Sequence, residues 1–398
     1  MPGFEIFDET EKNQISDVLN SGIYMRYGFD NLRNGHWKAK ELESKISQVL
    51  NIKHVHLTSS GTTALTTALA IVGVGYGDEV ILPCFTFVAT VEAVISVGAI
   101  PIFAEIDDSL TLCPNSVQKL ITPQTKCVMP VHMCGSMANM NVLKEICNKN
   151  NLLLIEDAAQ SFGGSYDGKA LGSIGDVGAF SFDFVKTITC AEGGAVVTNN
   201  SLLGAKADAF TDHGHDHLGL DRGADNHPFI GLNFRISELH AAVGLAQIEK
   251  LPKILSIQKN NYSLLENILK QSPHVSFRKI WDTNGNTHTF LAWMLPTQQL
   301  MENFIGLLKQ RNLLAGNFYW YANNWHFIKQ WQHIYKAQSL FGLNPPQLSA
   351  LKNINPESYI QTNAILSKTL CTAISLKWSE NDIEKKGQEF LQIINEIC

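Results

Sequence analysis

From His54 to about residue 200, short unbroken apolar runs alternate with segments whose apolar residues recur at helical spacing. This alternation constrains the fold more than any other feature of the chain. HVHLT (54–58), DEVILP (78–83), IPIFAEI (100–106), CVMPVHM (127–133) and LLLIED (152–157) are continuous rather than alternating runs. Such strands are covered on both faces. Helices are expected between them over about 62–72, over 87–98, where Val88, Val91, Val94 and Ile95 share one face, and over 140–149. The pattern predicts an α/β fold with a mostly parallel sheet, and VGAFSF (177–182) and GGAVVT (193–198) are further strand candidates.

At 398 residues the chain exceeds the size at which a single core stops growing, so two domains are expected. A long helical region, Ser237 to Lys270, leaves the first, and Pro252 should break or kink it. Beyond it, VSFRKI (275–280) and HTFLAWML (288–295) alternate like antiparallel strands. A helix near 302–311 and an amphipathic C-terminal helix from about Glu380 complete a small α+β unit. The division expected is 1–250, with an N-terminal arm, and 251–398. Ser339–Pro356, rich in proline and asparagine, reads as an exposed excursion.

Formal charge is −6, from 31 basic and 37 acidic residues, with no Lys/Arg block. Nucleic-acid binding therefore has no electrostatic support. The N-terminus lacks a signal-peptide pattern, and the most apolar stretch, Ala64 to Gly75, is too short to span a bilayer. Eight cysteines show no CxxC pair and read as reduced thiols. A cytoplasmic enzyme without membrane partners is expected.

Open α/β sheets bind ligands past the carboxyl ends of their strands. Thr58-Ser-Ser-Gly-Thr-Thr63 lies at such an end and reads either as an ordinary helix cap or as a phosphate cradle of amides and hydroxyls. Glu156-Asp157 closes the most apolar strand, where a carboxylate needs a cationic or hydrogen-bonding partner. Lys186, among Phe182, Phe184, Val185 and Ile188, is either a snorkelling surface lysine or an amine prepared for nucleophilic chemistry by apolar neighbours. His213, His215 and His217 alternate without a carboxylate or cysteine frame, and read as polar loop residues rather than a metal site. Taken together, a phosphate cradle, a strand-end aspartate and an amine are the parts that pyridoxal phosphate requires.

SSGTTAL, PCFTFVAT, EDAAQSFGGSYDGKALGSIGDVGAFSF, VKTITCAEGGAVVTNN and GLNFRISELHAAVG follow one another along the chain. By these motifs it resembles the DegT/DnrJ/EryC1/StrS family of sugar aminotransferases over nearly its whole length, least around 275–360. The resemblance implies the aspartate-aminotransferase-like fold type I and a homodimer with active sites at the subunit interface. It also implies that Lys186 joins the cofactor aldehyde and, once freed by substrate, shuttles a proton between the substrate Cα and the cofactor C4′. Asp157 would pair with the pyridine nitrogen, Gln160 with the cofactor hydroxyl, and Phe87 would stack on the ring. Gly61, Thr62 and Ser181 would hold the phosphate, with Asn233 reaching it from the partner subunit. His326 resembles the family's histidine near the sugar. Certain family dehydratases carry a histidine at the lysine position. Retention of Lys186 implies complete transamination, and together with Asp157 and Gln160 it argues against a catalytically silent homologue.

The family transfers an amino group, usually from L-glutamate, to a keto sugar, releasing 2-oxoglutarate. Four stretches depart from its common pattern: 26–43, 132–140, 212–228 and 318–327. They are similar to members that aminate an 8-oxo octulosonate to 8-amino-3,8-dideoxy-manno-octulosonate for lipopolysaccharide. Such an acceptor is a free sugar acid, and arginines suit a free carboxylate. Arg26, Arg33 and Arg222 lie in these stretches, and Arg26 is the expected substrate ligand. The aromatic run 318–327 reads either as a sugar-stacking surface or as core. The other acceptor compatible with the resemblance is a nucleotide-linked 3- or 4-keto hexose.

Overall fold

The computed structural model describes residues 3–219 and 221–398. Helices α1 (Glu9–Ser21) and α2 (Lys38–Leu50) precede an alternating series: β1 (His54–Thr58), α3 (Gly61–Ile71), β2 (Glu79–Pro83), α4 (Val88–Ser96), β3 (Ile100–Ala104), α5 (Pro114–Leu120), β4 (Thr125–Val128), α6 (Met140–Asn150) and β5 (Leu153–Asp157). A small hairpin of β6 (Ser165–Tyr166) and β7 (Lys169–Ala170) leads to β8 (Val177–Ser181), β9 (Gly194–Thr198) and α7 (Ser201–Thr211). The main sheet has the order β1-β9-β8-β5-β4-β2-β3. β8, β5, β4, β2 and β3 are paired in parallel, and β9 runs antiparallel to both its neighbours. The expected mostly parallel sheet is thus present. β8 and β9 are buried at every residue, which is why their sequences show no alternation.

The helical region does break near Pro252. Helix α8 (Glu238–Glu249) ends and α9 (Leu251–Leu269) begins, with proline in its first turn, where a missing amide costs nothing. The C-terminal part holds β10 (Ser276–Phe277), β11 (Phe290–Met294), α10 (Gln298–Gln310), β12 (Asn317–Phe318), the short α11 (Gln332–Tyr335), α12 (Pro345–Lys352), α13 (Ile360–Leu366), β13 (Thr369–Ala373) and α14 (Glu380–Ile397). Its strands form an antiparallel sheet in the order β10-β11-β13-β12. Trp293, Phe304 and Phe390 fill the core between that sheet and helices α10 and α14.

Two expectations change. Only Ser276 and Phe277 of the 275–280 stretch are strand: the Arg278 amide still donates to the Ala292 carbonyl at 3.2 Å, but the Lys279 amide goes to the Asp108 carbonyl instead, and the pairing ends there. Ser339–Pro356 is not wholly an exposed excursion. Its prolines open α12, Asn344 caps that helix, and the buried Gln347 donates to the Ile95 and Ala99 carbonyls at 2.9 Å each. Among the described residues no helix is long and apolar enough to cross a membrane.

Candidate active site

The carboxyl ends of β5 and β8, the N-terminus of α3 and the residues before α4 surround one crevice of about 130 Å³. Gly61, Thr62, Phe87, Asp157, Gln160, Ser181 and Lys186 all line it. Sequence separations of up to 125 residues are closed here by the sheet order, which sets β5 directly beside β8.

Helix α3 supplies the anion-binding corner. Ser60 accepts from the Thr63 amide and the Thr63 hydroxyl bonds the Ser60 amide, forming a capping box. The Gly61 and Thr62 amides at the start of the helix are left to face a ligand. A Cβ on Gly61 would lie 2.6 Å from Ser181 Cβ and 2.9 Å from its Oγ, so only glycine lets this turn approach the β8 end so closely.

Asp157 is buried, with 4 % exposure. Its Oδ2 accepts from the Thr90 hydroxyl at 2.8 Å and its Oδ1 from the Ala159 amide at 3.1 Å. Burial pushes its carboxyl up, opposed by the Thr90 and Ala159 hydrogen bonds and by Lys186 and His132 nearby. Glu156, its neighbour, points to the other face of β5. There it accepts the amides of Gly172, Ile174 and Gly175 and contacts His132 Nε2 at 2.9 Å. Glu156 is therefore an anchor for the 172–175 loop and not a second site carboxylate.

Lys186 sits half-buried on an irregular loop after β8. Burial lowers its ammonium pKa, while Asp183 and Asp157 pull it back up. Gln160 Oε1 accepts the Cys134 amide at 2.9 Å, which turns its amide nitrogen toward His326 Nε2 at 3.5 Å. The His326 ring packs on Trp320 and Phe87 with centroids 4.2 and 5.5 Å apart. Burial and the Lys186 charge hold its pKa at about 3, so it is neutral, and its Nδ1 has no partner among the described residues. The segment that carries it is fixed by a hydrogen bond from the Thr86 amide to the His326 carbonyl at 2.8 Å.

Arg26 is not brought to the crevice. Its guanidinium donates to the Leu57 carbonyl at 3.1 Å and to Glu43 Oε1 at 2.8 Å, and Glu43 in turn accepts the Leu57 amide. β1 is the edge of the main sheet, and this pair satisfies backbone groups that no neighbouring strand can reach. Arg33 is buried against the Gly28 and Met25 carbonyls, and Arg222 donates to Asp212. Asn233 is exposed, bridged to Asp212 and away from the crevice of its own chain. His217 stacks on Tyr27 at 4.3 Å, a contact with the N-terminal segment, and His215 lies 3.3 Å from Asp225 of its own stretch.

The sequence reading missed Thr86, Thr90 and Cys134. A signal existed for the threonines: Thr86, just before α4, and Thr90, in its first turn, stand four residues apart, a spacing that sets two hydroxyls side by side.

The site residues fit pyridoxal phosphate. Among the described residues Asp157 is a buried carboxylate hydrogen-bonded by neutral donors only, with no cation bonded to it as a protonated ring nitrogen would be. Gly61, Thr62 and Ser181 form a cradle that a side chain at 61 would fill. Lys186 supplies an amine whose burial favours the nucleophilic form.

The model of the DegT/DnrJ/EryC1/StrS aminotransferase family matches residues 5–340. GDP-perosamine synthase of Vibrio cholerae is 30% identical over 333 residues, covering 82% of this chain and 86% of that protein. The L-glutamine:2-deoxy-scyllo-inosose aminotransferase of Streptomyces kanamyceticus is 33% identical over 296 residues, 72% of this chain and 68% of that one. Among solved structures, 3-amino-5-hydroxybenzoic acid synthase superposes with a TM-score of 0.81 at 25% identity, covering 98% of this chain and 97% of the other.

Proposed function

This chain belongs to the DegT/DnrJ/EryC1/StrS aminotransferase family and is a pyridoxal-phosphate-dependent enzyme of fold type I, and from that premise we propose that it moves an amino group from glutamate to a keto sugar at the crevice around Lys186. The observation that supports this reading most is the meeting of three unlike groups at one sheet end: a half-buried amine, a buried carboxylate hydrogen-bonded by neutral donors among the described residues, and a helix start kept clear by glycine.

When bound, the cofactor supplies a sink for the electron pair left behind as the donor Cα–H bond breaks. Lys186 would hold the cofactor covalently and, once the donor amine has displaced it, its neutral Nζ would take the Cα proton and, in the second half of the reaction, deliver one to the acceptor carbon. Asp157 would stabilise positive charge at a ring nitrogen, and Gln160, oriented by the Cys134 amide, would hydrogen-bond the ring hydroxyl. Phe87 shields one ring face from water. Asn233, exposed and outside its own crevice, reaches the phosphate of the second subunit in a homodimer. The reaction takes place in the cytoplasm.

For the acceptor we take 8-oxo-3,8-dideoxy-manno-octulosonate, giving the 8-amino sugar used in lipopolysaccharide. Two of the four divergent stretches, 132–140 and 318–327, meet at Gln160 through Cys134 and His326, and so lie where an unusual acceptor would be recognised. A second reading, a GDP-linked keto sugar, has the support of the GDP-perosamine synthase relatives. A coupled glutamate assay with both acceptors separates them. Release of 2-oxoglutarate with the octulosonate alone is expected, and turnover of the GDP-linked sugar alone would reverse the assignment.

A further inference from the structure

One of the two donors to Asp157 ends a chain of hydroxyls. Thr90 Oγ1 stands 2.8 Å from Asp157 Oδ2, and Thr86 Oγ1 stands 2.6 Å from Thr90 Oγ1. Both threonines are buried, at 1 % and 0 % exposure. Proton counting sets the direction of the chain. An ionised carboxylate only accepts, so Thr90 directs its single proton to Asp157 and must itself accept from Thr86. Each link polarises the next, which strengthens the bond that reaches the carboxylate.

The surroundings of these hydroxyls are apolar. Helix α4 otherwise turns Ala89, Val91, Ala93 and Val94 into the core, where an unpartnered hydroxyl is costly. The chain also starts at a junction, because the Thr86 amide donates to the His326 carbonyl at 2.8 Å. The carboxylate is thereby tied to the segment carrying His326, which meets the crevice residues Gln160 and Phe87.

We infer that Thr90, backed by Thr86, is a positioning residue that holds Asp157 ionised and aimed into the crevice, and so sets how fully a bound ring nitrogen stays protonated. The inference rests on the reading of Asp157 as that nitrogen's partner. Burial drives Asp157 toward its neutral form, and the Thr90 hydrogen bond is the largest influence opposing it. Valine at position 90 keeps the side-chain shape and removes the donor, so the shared proton should move from the ring nitrogen toward Asp157.

The test uses holoenzyme reconstituted with cofactor labelled with ¹⁵N in the ring, whose chemical shift reports ring protonation. Wild type should give the protonated value and Asp157→Asn should lose it, which checks the underlying reading separately. Thr90→Val should displace the resonance toward the neutral-ring value and lower kcat about tenfold, the scale of one lost hydrogen bond to a charged group, with little change in KM for the amino donor. Thr90→Ser should restore both, and Thr86→Val should give a smaller displacement of the same sign. If Thr90→Val does not fold, Thr86→Val carries the test alone. A protonated wild type that loses its proton in Asp157→Asn but keeps it in the threonine variants would overturn the inference while leaving the role of Asp157 standing. An unprotonated wild type would overturn both.

Discussion

Lys186 is drawn two ways, since burial disfavours its charge while Asp183 and Asp157 favour it, and burial is the stronger influence. The sign for stability follows from linkage. In the cofactor-free protein the unfolded chain holds the lysine proton up to the ordinary value of 10.5, whereas the folded chain releases it earlier. Between those two values unfolding takes up a proton, so this residue's cost to the fold shrinks as pH rises. Lys186→Met should therefore raise the melting temperature of cofactor-free protein near neutrality, with the gain fading as pH approaches 10.5. Turnover should fall by at least about 10²- to 10⁴-fold, the usual contribution of a positioned acid–base group. A melting-temperature gain that grows with pH would contradict the assignment of burial as the dominant influence. Lys186 could be singled out from sequence only as one of a set, because a lysine beside phenylalanines is ambiguous until a strand-end aspartate and a Ser-Gly-Thr turn share its sheet end. Thr90 stayed hidden for the opposite reason: threonine is common in helices, and only the fold shows a carboxylate across from it.

Among the elements, the central strands were readable because both faces are buried, which leaves a continuous apolar run as their mark. β13 was not readable. Thr369-Leu-Cys-Thr-Ala is short and follows a helix closely, and its strand character comes from pairing with β11 and β12. Arg26 shows the same limit at a single edge. Nothing in RYGFDNLR marks an arginine destined for the bare side of β1, since that need arises only once β1 lies outermost in the sheet. Arg26→Ala would leave the part-buried Glu43 without its cation and the Leu57 carbonyl without its donor, and should cost about 1–3 kcal/mol of stability in denaturant unfolding. The folded fraction should retain kcat, because the side chain is not at the crevice. A stable variant with a raised KM for the sugar acid would return Arg26 to substrate binding.

Over the whole molecule, the N-terminal segment joins parts far apart in sequence. The Gly3 amide donates to the Lys186 carbonyl at 3.0 Å, Phe4 stacks on Phe184 at 4.7 Å, and Glu5 accepts from the Ser375 hydroxyl and the Leu376 amide. The lysine loop and the C-terminal part thus share one short strap. If Asn233 completes the neighbouring subunit's site, co-expressing Lys186→Ala with Asn233→Ala should give mixed dimers with one intact site each, restoring roughly a quarter of wild-type activity under random pairing. No recovery would place Asn233 outside the partner's site. The central claim, that Lys186 is the amine holding the cofactor, is tested most directly by borohydride reduction of the holoenzyme followed by peptide mass mapping. The expected result is a single pyridoxyl phosphate adduct on the peptide containing Lys186, with loss of absorbance at roughly 410–430 nm. An adduct on another lysine, with Lys186 unmodified, would contradict it.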